Sequence, residues 1–207
     1  MARAFGVIAS RIWSDHNFLA LDAEAQRLYL FLLSQPDLSH AGLVPLRARR
    51  WSKKVAKTSP GEIVFGLERL SHARFILMDE DTEEVIIRTF VRNDGVYKQP
   101  KVMLRMREDA RLIESPTLRA AFAIELRRLP LTELGTVKTG PNRDQPSTRE
   151  VVTEVVESLL ADFAVHTLPD THSEGYAIPP TYAQARSPFP HNPSPTTQRR
   201  KAFVRSR

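Results

Sequence analysis

The sequence predicts a mainly α fold with one small β-hairpin, an α+β domain with further helices after it. Three observations carry this. Ser59-Pro60-Gly61-Glu62 is a strong helix start, and Ile63, Val64, Leu67 and Leu70 follow it at the spacing of a buried helical stripe. Two apolar runs, Phe75-Ile76-Leu77-Met78 and Val85-Ile86-Ile87-Arg88-Thr89-Phe90, flank the polar segment from Asp79 to Glu84, which is the pattern of a hairpin with a charged tip. A compact basic segment, residues 46–56, lies directly before the helix start.

In chain order, residues 1–21 form an arm whose Ile8, Ile12, Trp13, Phe18 and Leu19 are expected to tuck against the core. Asp22 caps a helix to about Ser34. It is apolar on all sides from Leu28 to Leu33, as a central helix should be, and Pro36 stops it. Gly42-Leu43-Val44 is a short extended run closed by Pro45, expected to pair beside the hairpin as a third strand. The basic segment comes next. Past the hairpin, Arg92-Asn93-Asp94-Gly95 reads as a turn. Residues 101–113 read as a helix with Val102, Met106 and Leu112 or Ile113 inward. Ser115-Pro116 starts another helix, with Leu118, Ala121, Phe122, Leu126 and Leu129 inward.

After Pro130 the composition shifts. Residues 130–148 are rich in Gly, Pro, Thr and Asn and read as a linker. Residues 149–166 form an amphipathic helix, capped by Ser147 or Thr148, whose stripe is Val152, Val155, Val156, Leu159, Leu160 and Phe163. That stripe needs a surface. It either folds back on the preceding domain or, through Val152, Val156, Leu159 and Phe163, joins a second copy or a partner protein. Residues 167–207 are proline-rich with a basic end and are expected to be disordered. The domain proper is therefore residues 1–129.

The element order helix, turn, helix, hairpin is that of a winged helix-turn-helix, which usually places its second helix in a DNA major groove. The charge pattern fits. The chain has 207 residues and a formal net charge of +6, and six cations with no acidic residue lie between Arg47 and Lys57. Phosphate contact by Arg47, Arg49, Arg50, Lys53, Lys54 and Lys57 is the functional reading; a solvated helix face is the bland one. At about 100° per residue, Arg50, Lys53, Lys54 and Lys57 would share one face of a helix, with Trp51 and Val55 turned inward. The second helix offers Glu62, which caps or accepts from cytosine, Arg69 as the one candidate for a bidentate guanine contact, and Gly66 for close backbone approach. Arg88 and Arg92 would restore positive surface beyond an acidic tip that repels DNA.

Other chemistries find little support. There are no cysteines, which excludes disulfides and cysteine-ligated metals and fits a reducing, cytoplasmic setting. The six histidines show no metal-ligand spacing. Asp79, Asp81 and Glu83 alternate as in a calcium loop, but Glu84 stands where that loop needs glycine. No phosphate-cradling glycine loop and no nucleophile motif is present. The expectation is a protein that is not an enzyme and carries no cofactor or metal. No targeting segment and no membrane span is expected either.

The run 21–33 (LDAEAQRLYLFLL), Gly42-Leu43-Val44-Pro45-Leu46, Glu68-Arg69-Leu70 with Arg74-Phe75, and Phe90-Val91-Arg92-Asn93-Asp94 resemble the N-terminal winged-helix domain of phage and prophage replication-initiator (replisome-organiser) proteins, actinobacterial phage type. The likeness covers about Arg11 to Leu129 and rests mostly on core positions, which identify a fold better than a task. It implies origin-DNA binding or self-assembly by this domain, in a bacterial or phage-infected cell, and helicase recruitment by a separate C-terminal helical domain. This chain departs from that plan, with one helix and a proline-rich tail after Pro130. The expected function is double-stranded DNA binding in replication initiation. Transcription control, or a protein adaptor that does not bind DNA, is the alternative.

Overall fold

The computed structural model describes residues 6–136 and 146–166. Residues 137–145 of the expected linker and the expected disordered tail, 167–207, lie outside the described residues. The chain is mainly helical with one three-stranded antiparallel sheet. After a 3-10 turn at Ser10–Ser14, the elements are α1 (His16–Leu19), α2 (Ala23–Leu33), β1 (Leu43–Pro45), α3 (Ala48–Ser52), α4 (Pro60–His72), β2 (Ile76–Asp79), β3 (Glu84–Ile87), α5 (Phe90–Asn93), α6 (Pro100–Arg111), α7 (Pro116–Arg127) and α8 (Thr148–His166).

Local chemistry accounts for most of the boundaries. Asp22 accepts the backbone N–H of Ala25 and starts α2. Ser59 and Glu62 make a reciprocal capping box at α4, with Pro60 in the first turn. Ser115 accepts from Leu118 N–H at α7. Ser147 and Glu150 repeat the reciprocal pattern at α8. The end of α4 is a Schellman turn: Phe75 N–H reaches back to Leu70 O at 2.9 Å, and Arg74 takes the left-handed position with φ 64°.

The sheet has the order β1-β3-β2, so the short run at Leu43–Pro45 is its third strand, in register Leu43 to Ile86 and Val44 to Val85. The hairpin pairs Ile76 with Ile87 and Asp79 with Glu84. The strand expected to reach Phe90 stops at Ile87, and Phe90–Asn93 turns helical instead. β1 begins at Leu43 and β2 at Ile76, and on the β2 side the pairing ends with Arg88 N–H donating to Phe75 O at 3.2 Å. On the β1 side Gly42 accepts Ile87 N–H at 2.9 Å, in a left-handed conformation with φ 82°. A Cβ there would meet Phe90 Cβ at 2.7 Å and Ile87 O at 3.0 Å.

One core joins α2, α4, the sheet and α6–α8. Leu28, Leu32, Ile63, Leu67, Leu70 and Trp51 fill it on one side; Met103, Met106, Leu118, Phe122 and Leu126 fill it on the other. The apolar stripe of α8 is turned into this core. Val152, Val155, Val156, Leu159 and Phe163 are buried, α8 packs on α6 and α7, and the Phe163 ring meets Phe122 edge-on at 6.4 Å. Of the two readings of the stripe, the fold back onto the preceding helices is the one seen: Val152, Val156, Leu159 and Phe163 are covered by their own chain and not left open for a second copy or partner. Arg111 Nε donates to Asp162 at 2.9 Å and tethers the same contact.

Two further expectations change, and a choice between two neighbours is decided. The described start of the linker is folded, with a 3-10 turn at Leu131–Glu133, a buried Leu134, and the Arg149 guanidinium donating to Thr132 O and Leu134 O. Among the described residues of the arm only Phe18 is buried; Ile12 is half-buried, and Ile8, Trp13 and Leu19 are exposed. Of Leu112 and Ile113, Ile113 is inward and Leu112 is exposed.

Candidate nucleic-acid interface

The basic segment is not one helix. α3 ends at Ser52, the chain turns through 53–58, and Lys57 adopts a left-handed φ of 58° before Ser59 caps α4. The common helical face expected for Arg50, Lys53, Lys54 and Lys57 therefore does not form. What forms is a cationic turn between two helices. Trp51 is buried and anchors it, its ring 6.0 Å from Phe31 of α2, while Val55 is only half-buried. Around that anchor Arg49, Arg50, Lys53 and Lys57 are exposed, and among the described residues none of them has a carboxylate partner. The Lys54 amine sits over the Phe31 ring at 5.7 Å.

Four of the other residues expected to face DNA are engaged within the chain. Arg47 pairs with Asp37. Arg69 pairs with Asp22 at 2.6 Å and lies over the Phe65 ring at 5.1 Å. Arg88 pairs with Glu125 at 2.7 Å in a largely enclosed site, and also donates to Arg74 O. Glu62 accepts Ser59 N–H at 2.6 Å, and that backbone donor, with the Ser59 hydroxyl after it, holds its carboxyl below the usual range. These pairings span from 3 to 47 positions of sequence. Arg92 is exposed.

The outward side of α4 is short of base-reading groups. Gly66 faces inward, where a Cβ would meet Leu28 Cδ2 at 2.7 Å, so its smallness serves the packing of α4 on α2. Phe65 projects outward and is 59% exposed. Its place opposite Ile63, Leu67 and Leu70 was readable from helical spacing; its stacking with Arg69 was not.

The acidic hairpin tip is partly used inside the fold. Glu84 is buried and accepts the backbone N–H groups of Glu114 and Ser115 and the Thr82 hydroxyl. Asp79 accepts the Ser115 hydroxyl, which holds its carboxyl below the usual range, together with Thr82 and Asp81 N–H. Two carboxylates thus brace the start of α7, where the helix dipole favours negative charge. Glu80, Asp81 and Glu83 remain exposed.

Apart from Arg47 and Arg69, the expected cations fall into two groups. Arg49, Arg50, Lys53, Lys54 and Lys57 surround the start of α4. Arg88 and Arg92 line a cleft at its far end, with Arg74, which directly follows that helix. α4 has 13 residues, so the two groups lie about 20 Å apart along its axis. No single flat contact at the start of α4 includes both.

Among the described residues no group of three or more His, Asp or Glu side chains could hold a metal ion, and no helix is long and apolar enough to cross a membrane. His40 is matched to Asp109, which accepts from its backbone N–H at 2.8 Å and lies 2.7 Å from its ring Nδ1. Compared with protein-family models, with curated proteins and with solved structures, the chain finds no match.

Proposed function

We propose that this chain is a winged-helix DNA-binding protein that docks double-stranded DNA with the cationic turn before α4. The order α2, β1, α3, α4, β2, β3 and the sheet order β1-β3-β2 support the winged-helix reading. The observation that carries the function is the exposure of Arg49, Arg50, Lys53 and Lys57, without carboxylate partners among the described residues, beside the capped start of α4. Exposed amines and guanidiniums neutralise backbone phosphates and release counterions. With Glu62 spent on its cap and Arg69 on Asp22, few groups are left for reading bases, so affinity is phosphate-driven and sequence discrimination is shallow. Binding without catalysis, in the cytoplasm, follows from this reading. The resemblance to phage replication initiators favours origin DNA over an operator.

A salt titration of binding to duplex DNA tests it. Changing Lys53 and Lys57 together to Ala should weaken binding to all sequences and reduce the slope of log affinity against log salt by about two. An unchanged slope would remove the turn from the interface.

A second reading, a protein adaptor, is favoured by Phe65. An aromatic ring this exposed on the outward side of α4, stacked with Arg69, has the character of a protein contact. Absence of any gel shift at low salt, with Phe65→Ala abolishing capture of a protein partner, would select it.

A further inference from the structure

We propose that the cleft between the N-terminal arm and the far end of α4 binds a small phosphate ester carrying a flat ring, its phosphate held by Arg74 and Arg92. The cleft has a volume of about 760 Å³, within the range of small-molecule sites. Its lining joins the arm (Val7 to Asn17) to the ends of α2, α4 and β3 and to α5.

Charge is the first argument. Four arginines line the cleft, Arg11, Arg74, Arg88 and Arg92, against two aspartates, Asp15 and Asp94. Arg88 is neutralised by Glu125 from α7, outside the lining. Arg11 spends one Nη on Asn93 O at 2.9 Å and keeps its other donors. Asp15 is turned to the start of α1, accepting Asn17 and Phe18 N–H. Arg74 and Arg92 are exposed and have no carboxylate partner among the described residues. Guanidinium forks suit phosphate oxygens, which accept two parallel hydrogen bonds.

Backbone geometry is the second. Arg74 holds the left-handed position of the Schellman turn, φ 64°, where glycine is the ordinary residue. Any Cβ at that position is unfavourable for the fold, and arginine there puts a guanidinium on the wall of the cleft.

The floor is the third. Half-buried Phe75 gives it aromatic surface, backed by the buried Tyr29 and Phe90, with Tyr29 and Phe75 edge-on at 5.1 Å. Burial, and then the Asp15 carboxylate, push the Tyr29 hydroxyl up to about 12, so it stays protonated. A ring can lie on this floor while its phosphate faces the arginines.

The proposal goes beyond DNA binding, because these residues lie at the opposite end of α4 from the cationic turn. The test is calorimetric titration of the full chain with ADP and with phenyl phosphate. Saturable binding of at least one is expected. Arg74→Gly and Arg92→Ala should each weaken it about ten-fold, the worth of one charge-assisted contact. Arg74→Gly relieves the left-handed strain, so lost binding with an unchanged or raised Tm cannot be unfolding. Lys53→Ala/Lys57→Ala should leave it unchanged. No binding at millimolar probe overturns the proposal, as does binding that survives both arginine variants or is lost in the lysine variant. Weaker duplex DNA binding in the arginine variants, with no probe bound, would assign the arginines to DNA and overturn the cleft alone. Probe binding that needs Arg74, together with a salt slope indifferent to Lys53 and Lys57, would overturn the DNA reading alone.

Discussion

The carboxylate of Glu84, buried in β3, accepts the backbone N–H of Ser115 at 2.8 Å, so a strand acid caps a helix 31 positions later in the chain. It also accepts Glu114 N–H at 2.9 Å. The hairpin and the C-terminal helices are thereby joined by charge-assisted hydrogen bonds, and the acidic tip is partly a structural device.

Glu84→Ala strands two backbone donors at the start of α7. A loss of about 2–4 kcal/mol is expected, from lost bonds to a charge and unsatisfied donors. Urea unfolding should show it as a lower midpoint with an unchanged m-value. A change under half a kcal/mol, roughly the scatter of surface substitutions, would contradict the bracing role.

Stability should depend on pH through Asp79. Its carboxyl is depressed by the Ser115 hydroxyl, so the folded state binds its proton less readily than the unfolded state. That stabilisation is complete above the unfolded value of about 4 and is lost as pH falls through the lower folded value. The depressed Glu62 adds to the same acid limb. Asp79→Asn should flatten the decline of Tm below about pH 4; an identical acid limb in the variant would rule Asp79 out as its source.

Gly42→Ala should be costly and Gly95→Ala mild, although both glycines have positive φ. At Gly42 the new methyl adds overlap with Phe90 and Ile87 O to the left-handed penalty; at Gly95 nothing lies within 4 Å. Losses of about 2–5 and about 1–2 kcal/mol follow. Equal Tm values for the two variants would show that the close approach at Gly42 relaxes freely.

Arg88 is expected to hold the fold together without touching DNA. Arg88→Met removes the guanidinium facing Glu125 and should lower stability by about 1–3 kcal/mol, moderated because Arg128 also reaches Glu125. The salt slope of duplex binding should stay at the parent value. A slope reduced by about one would place Arg88 on a phosphate.

Leu159→Ala in α8 should destabilise the folded chain by about 2–5 kcal/mol, as for a buried leucine. Size-exclusion should show no step to a smaller species, because the stripe packs inside its own chain. A clean dimer-to-monomer shift without loss of stability would restore the intermolecular reading.

What could be read from the sequence was what neighbours in the chain decide. Ser59-Pro60-Gly61-Glu62 specifies its cap by contacts within three positions, and it forms as expected. The hairpin and its third strand follow from short β-rich runs with turns between them. The length of the basic helix did not follow, because no glycine or proline marks the stop at Ser52 and the left-handed turn falls on Lys57. The pairings of Arg69 with Asp22 and of Arg88 with Glu125 cross 47 and 37 positions, beyond any local pattern. The cleft was hidden for the same reason. Its arginines lie in the arm, at a helix end, in the segment after β3 and in α5, and only folding collects them.

The sheet closes its own margins. One outer strand is three residues long and ends on Pro45, an imino acid with no N–H to offer. The other, four residues long, has α7 packed against it. Neither outer strand is a long edge, the kind that invites a fourth strand from a neighbouring molecule.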